Sequence, residues 1–111
     1  EIFYSKGKGN VSYPIVFLGN NTTASCSEIL ILALKEGCNA KLVGTQTYGK
    51  GIGQTVYSAK DYMYQFTSEY WTSPSGISIN GIGITPDIVV ENLDENDLQL
   101  QKAKEYIKSL K

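Results

Sequence analysis

Ser25 and Lys50 are the residues whose types could do covalent chemistry together. The 111 residues include ten Lys but no Arg and no His. Without His, the chain alone cannot build a Ser/His or Cys/His pair or a His-ligated metal site. A hydroxyl nucleophile then needs another base, and Lys can serve once it is neutral. A free Lys titrates near ~10.4, and burial among apolar groups lowers that value. Lys50 is the only lysine set between glycines on a loop joining two apolar strands, with Tyr48, Ile52 and Val56 as uncharged neighbours. Lys102, Lys104, Lys108 and Lys111 fall on or near the polar face of the last helix and read as solvated.

Ser25-Cys26-Ser27-Glu28 has a double meaning. Ser-x-x-Glu before an apolar run is a capping box, which needs no function. A helix start also suits a nucleophilic serine, because the dipole and a free backbone N–H favour a developing oxyanion. On the residues alone, Ser25 reads most simply as a cap and Lys50 as an exposed loop lysine. Two other motifs carry less. Gly44-(four residues)-Gly49-Lys50 is most of a phosphate-binding loop, but Gly51 stands where Ser or Thr would hold Mg²⁺. The residues after it read as a strand, whereas such a loop opens a helix. Ser5-x-x-Lys8 resembles part of a β-lactamase signature, without its companion motifs or a helical context.

The elements that must position these residues follow from periodicity. Pro14 to Leu18 is a short apolar run ended by Gly19-Asn20-Asn21 and suits a buried strand. Glu28 to Lys35 is apolar nearly all round and reads as a core helix, stopped by Gly37. Ala40 to Gly44 is a second strand, and Thr45 to Gly53 a loop. Gln54 to Ser58 and Tyr62 to Trp71 alternate as strands, with Tyr62, Tyr64, Phe66 and Tyr70 expected on one packed face. Ile77 to Ile79 and Ile88 to Val90 read as short strands. Leu98, Ala103, Tyr106, Ile107 and Leu110 mark a final amphipathic helix starting near Asn96. Residues 1–12 are polar and Gly-rich and read as an edge or loop. The order predicts an α/β or mixed α+β fold in one segment.

Composition bounds the rest. The length allows one modest domain. A formal net charge of −1 leaves no basic footprint for nucleic acid or an acidic membrane. No apolar run nears the ~18 residues of a bilayer span. Glu1 in place of Met, with no signal peptide, points to a mature, trimmed or excised chain. A helix over 26–37 would hold Cys26 and Cys38 roughly 18 Å apart. A disulfide needs about 7 Å or less, so both are expected as free thiols.

Several ordered blocks resemble one family, the carboxyl-terminal processing (tail-specific) peptidases. Residues Asn20 to Ile29, NNTTASCSEI, are similar to its N-G-G-S-A-S-A-S-E-I motif. Thr47-Tyr48-Gly49-Lys50-Gly51-x-x-Gln54 is similar to its T-F-G-K-G-x-x-Q. Ser25 and Lys50 stand 25 residues apart, as in the family. Pro74-Ser75-Gly76, Asn80-Gly81-x-Gly83-Ile84-x-Pro86-Asp87-Ile88 and a block from Asp97 to Ala103 follow in the same order. The resemblance implies a crotonase-like, Clp-protease-like core, of which this chain is the C-terminal part. It implies a serine endopeptidase cutting near substrate C-termini. Ser25 would be the nucleophile, Lys50 the general base, Gln54 the residue orienting Lys50, and the Cys26 N–H an oxyanion donor. It implies protein or peptide substrates, no cofactor, no nucleotide and no nucleic acid, and an envelope or secreted location. Homo-oligomers are compatible with it. The family's upstream PDZ-like domain and second oxyanion segment are not in this chain. Asn21 and Thr22 stand where the motif has two glycines, and Cys26 where it has Ala. The changed loop favours an alternative, a non-catalytic crotonase-like domain for peptide binding or assembly.

Overall fold

The computed structural model describes residues 12–93 and 95–110. The Ser5-x-x-Lys8 motif, most of the Gly-rich opening and Lys111 lie outside the described residues. The elements run β1 (Val16–Gly19), α1 (Cys26–Cys38), β2 (Lys41–Gly44), β3 (Ile52–Ala59), β4 (Tyr62–Tyr70), β5 (Ile88–Val89) and α2 (Leu98–Ser109). The first, second and fifth strands form a parallel sheet in the order β1-β2-β5. β3 and β4 form an antiparallel hairpin of their own.

β2 lies between two partners, and its Leu42 and Val43 are fully buried. A strand covered on both faces reads as a continuous apolar run, which is why β2 is legible in the sequence; β1, at the sheet edge with Leu18 exposed, carries the same kind of run. Ile31 and Leu32 of α1 pack with Leu42, Ile79 and Ile84, and Phe17 and Trp71 close around them. The helix is not a core helix on all sides: Ile29 and Leu30 are exposed. Gly37 does not stop it either. Asn39 does, in the left-handed conformation (φ 56°, ψ 32°) with its N–H on the Leu34 carbonyl. Asn tolerates that conformation better than most residues, and Gly37 is left inside the last turn. Cys26 and Cys38 are both free thiols, as expected.

The hairpin departs from expectation in its surroundings. Every residue of β4 is exposed, so the aromatic stripe is not a packed face among the described residues. A bulge at Gly53/Gln54 leaves Ser68 without a partner and shifts the alternation beyond it. Tyr62, Tyr64 and Phe66 therefore share the face of Tyr57, while Tyr70, opposite Ile52, falls on the other. Tyr57 and Phe66 stack with centroids 5.7 Å apart.

Ile77 to Ile79 is not a strand, because its polar backbone groups are spent on turns. The Ser73 N–H donates to the Ile77 carbonyl at 2.9 Å, and the Ile77 N–H donates to Ser73 Oγ at 3.1 Å. The Ile79 carbonyl accepts from both Ile82 and Gly83, each at 2.9 Å. The final helix starts where Asp97 accepts the Leu100 N–H at 2.9 Å. Buried Gln99 anchors it, its side-chain amide on the Val90 carbonyl at 2.9 Å.

Asp87 ties α1 to the sheet. It accepts the Leu42 N–H at 2.7 Å and pairs with Lys35. Partial burial works against its ionisation. The bond from Lys35, the Leu42 N–H and the charges of Lys35 and Lys41 outweigh this and hold the carboxyl below its usual value of 3.8. A lowered carboxyl stabilises the fold above that usual value, and the contribution is lost as pH falls through the folded one. Asp87→Asn in the full-length protein is expected to cost about 1 kcal/mol at pH 7, since partly exposed ion pairs are worth little. It should also flatten the acid-side fall of the thermal midpoint below about pH 4. A thermal-midpoint series against pH checks both.

Candidate active site

The turn before α1 is built by one side chain. Asn20 Oδ1 accepts the Thr22 N–H at 2.9 Å and the Thr22 hydroxyl at 2.7 Å. The Asn20 N–H donates to Thr23 Oγ1 at 3.1 Å. Neither Asn21 nor Thr22 has positive φ, so the two residues replace the motif's glycines without backbone strain. Strain is placed one step later. Ser25 has φ 55° and ψ −120°, a combination costly to any residue with a Cβ. Such outliers survive where surrounding structure fixes them, and here Glu28 does so.

Glu28 is fully buried. Its Oε1 accepts the Thr47 hydroxyl at 2.6 Å and the Gly49 N–H at 2.7 Å. Its Oε2 accepts the Ser25 N–H and the Lys50 N–H, each at 2.9 Å. The backbones of Ser25 and Lys50 thus share one oxygen and can stand no farther apart than twice that distance. Thr47 is held in turn, its Oγ1 accepting the Ile84 N–H at 2.7 Å. The Tyr48 N–H donates to the Thr23 carbonyl at 2.9 Å and closes the second seam between turn and loop.

Ser25 and Glu28 stand in capping-box relation, but the two halves of the box differ. The carboxylate half is made, whereas the Ser25 hydroxyl makes no regular cap hydrogen bond. The Glu28 N–H goes to the Ser25 carbonyl at 2.8 Å, with the Ser25 side chain in the looser reach of a capping box beside it. The Cys26 N–H, at the start of α1, meets no acceptor among the described residues.

Lys50 is half-buried, and its side chain makes no hydrogen bond or ion pair among the described residues. It lines a cleft of about 740 Å³ with Thr22, Ala24, Tyr48, Ile52, Gln54 and Asn80. Ser25 follows Ala24 but is not itself among the lining residues. Gln54 shares the cleft wall with Lys50, yet its Oε1 accepts from Gln65 at 3.0 Å rather than meeting the lysine. Gly49, at φ 86°, has backbone atoms of 79–83 within 2.9 Å of where a Cβ would sit, so only Gly fits this approach. After Lys50 the chain enters β3, so the lysine loop does not itself open a helix as a phosphate loop does.

Sequence reasoning named Ser25, Lys50, Gln54 and Cys26 and gave Glu28 only half of its role. Its cap on Ser25 is local and visible. Its bonds to Thr47, Gly49 and Lys50 span 19 to 22 residues and leave no periodic trace.

A serine-bearing turn and a lysine loop set on a parallel βαβ unit fit a class, the crotonase-like, Clp-protease-like α/β fold. The photosystem II D1 C-terminal processing protease has a similar structure, with a TM-score of 0.65 and 38% identity over 72% of this chain and 21% of that one. The model of peptidase family S41 matches residues 2–90, and the chain belongs to this family. It is 47% identical over 79 residues to the carboxy-terminal-processing protease of Bartonella bacilliformis, covering 70% of this chain and 18% of that protein. It is 40% identical over 78 residues to a probable CtpA-like serine protease of Staphylococcus aureus, covering 69% and 16%. The chain therefore spans less than a fifth of the length of these two relatives.

Proposed function

We propose that this chain is the C-terminal catalytic part of a serine endopeptidase that cuts substrate proteins near their C-termini, with Ser25 as nucleophile and Lys50 as general base. The observation that carries the reading is the single Glu28 oxygen that takes the N–H of both residues. Neutral Lys50 takes the Ser25 hydroxyl proton as Oγ attacks the scissile carbonyl. The Cys26 N–H donates to the resulting oxyanion. Collapse breaks the C–N bond, and the Lys50 ammonium returns the proton to the leaving amine. Water then attacks the acyl ester, Lys50 takes its proton, and release of the acid restores Ser25. Gln54, on the same cleft wall, orients the lysine once its amide turns from Gln65 to Lys50. An upstream tail-binding domain and a second oxyanion donor belong to the same proposal, as does placement in the cell envelope or outside the cell.

The test is a fluorophosphonate probe on the full-length protein. Labelling at Ser25 is expected, and Lys50→Ala should slow it at least about 100-fold, the scale of a lost general base. Undiminished labelling of Lys50→Ala removes the lysine from the mechanism. An unlabelled wild-type protein fits the alternative, a peptide-binding or assembly domain without catalysis.

A further inference from the structure

Asn80 lies on the cleft wall with Lys50, Ile52 and Gln54. Its backbone is held against the lysine loop. The Gly81 N–H donates to the Gly49 carbonyl at 2.9 Å. A Cβ built on Gly51 would lie 2.8 Å from both the Asn80 nitrogen and its Cβ. The backbone position is fixed, and the exposed side-chain amide has no hydrogen-bond partner among the described residues and is open to a ligand. Two other polar side-chain atoms of the cleft are committed to neighbours. The Thr22 hydroxyl is on Asn20 and Gln54 Oε1 is on Gln65.

A carboxamide presents a donor and an acceptor side by side. That pair is the complement of the C=O and N–H of an extended peptide. We infer that Asn80 binds the main chain of the substrate peptide and sets its register relative to Ser25. The inference rests on the peptidase reading of the cleft. Because main-chain groups are common to all peptides, Asn80 acts equally on substrates of different side chains. It adds binding in the ground state and the transition state alike, which appears in KM.

The test uses Asn80→Leu, which keeps the branching and size of the side chain, and Asn80→Ala, both in the full-length protein. Losing one or two neutral hydrogen bonds should raise KM about five- to tenfold, with kcat within about twofold. The rise should be similar across peptides that differ in side chains. Fluorophosphonate labelling at Ser25 should proceed at the wild-type rate, since the probe carries no peptide main chain. An unchanged KM in Asn80→Leu overturns the inference. So does a fall in kcat at constant KM, or loss of labelling in both variants, because Asn80 would then act on the chemistry or on the fold. Failure of the peptidase reading looks different: wild-type protein would itself be unlabelled at Ser25.

Discussion

Ser25→Gly is expected to abolish cleavage and yet make the protein more stable. Cleavage should fall at least about 1,000-fold, because a nucleophile has no substitute in an acyl-transfer mechanism. Stability should rise by about 1 kcal/mol, the scale of strain at a positive-φ residue with a Cβ. Glycine adopts φ 55°, ψ −120° without that penalty. Ser25→Ala provides the contrast, with the same loss of cleavage and no gain in stability. If Ser25 were only a helix cap, both substitutions would instead destabilise, Ala by ~1 kcal/mol and Gly by a few tenths. The hydroxyl is only loosely placed in the capping box, so for Ser25→Gly the relief of strain is expected to outweigh the few tenths lost with the cap. Denaturant midpoints together with peptide turnover in the full-length protein separate the two cases. A less stable, still active Ser25→Gly protein would end the nucleophile assignment.

Glu28→Gln is expected to damage stability and activity together. The side chain keeps its length, but one of its two acceptors becomes an NH₂ donor. In either orientation that NH₂ faces donors, the N–H groups of Ser25 and Lys50 or the Thr47 hydroxyl and the Gly49 N–H. Each unsatisfied buried group costs about 1–3 kcal/mol, so a loss of about 2–4 kcal/mol is expected. Cleavage should fall about 100-fold, because misplacing reacting groups by about 1 Å costs that much. Thermal or denaturant unfolding gives the first quantity and kcat/KM the second. Wild-type values for both would show that Glu28 does not hold the site.

Much of the scaffold was readable because its physics is local. Leu42-Val43 is apolar without a break, as a strand inside a parallel sheet must be, and Val16 to Leu18 at the sheet edge carries a similar run. The alternation around Tyr57 and Tyr64 gave the hairpin. What failed was decided elsewhere in the molecule. Ile77 to Ile79 has strand-like residues, but the Ile79 carbonyl serves the turn to Gly83. Gly37 looked like a stop, yet the helix runs one residue past it and closes on Asn39. Exposure of Ile29, Leu30 and the aromatic hairpin face depends on what packs against them, which no periodicity encodes. The candidate site divides in the same way. Ser25, Lys50, Gln54 and Cys26 were named through the resemblance to short motifs. Of the two bonds joining the first two through Glu28, the one to Lys50 spans 22 residues, and nothing in either motif announces it.

Because one oxygen atom serves both amides, the serine turn and the lysine loop cannot come apart independently. Displacing either strips the other of half its tether, so disorder on one side spreads to its neighbour. The two segments are therefore expected to lose order together, with the amide protons of Ser25 and Lys50 exchanging at similar rates.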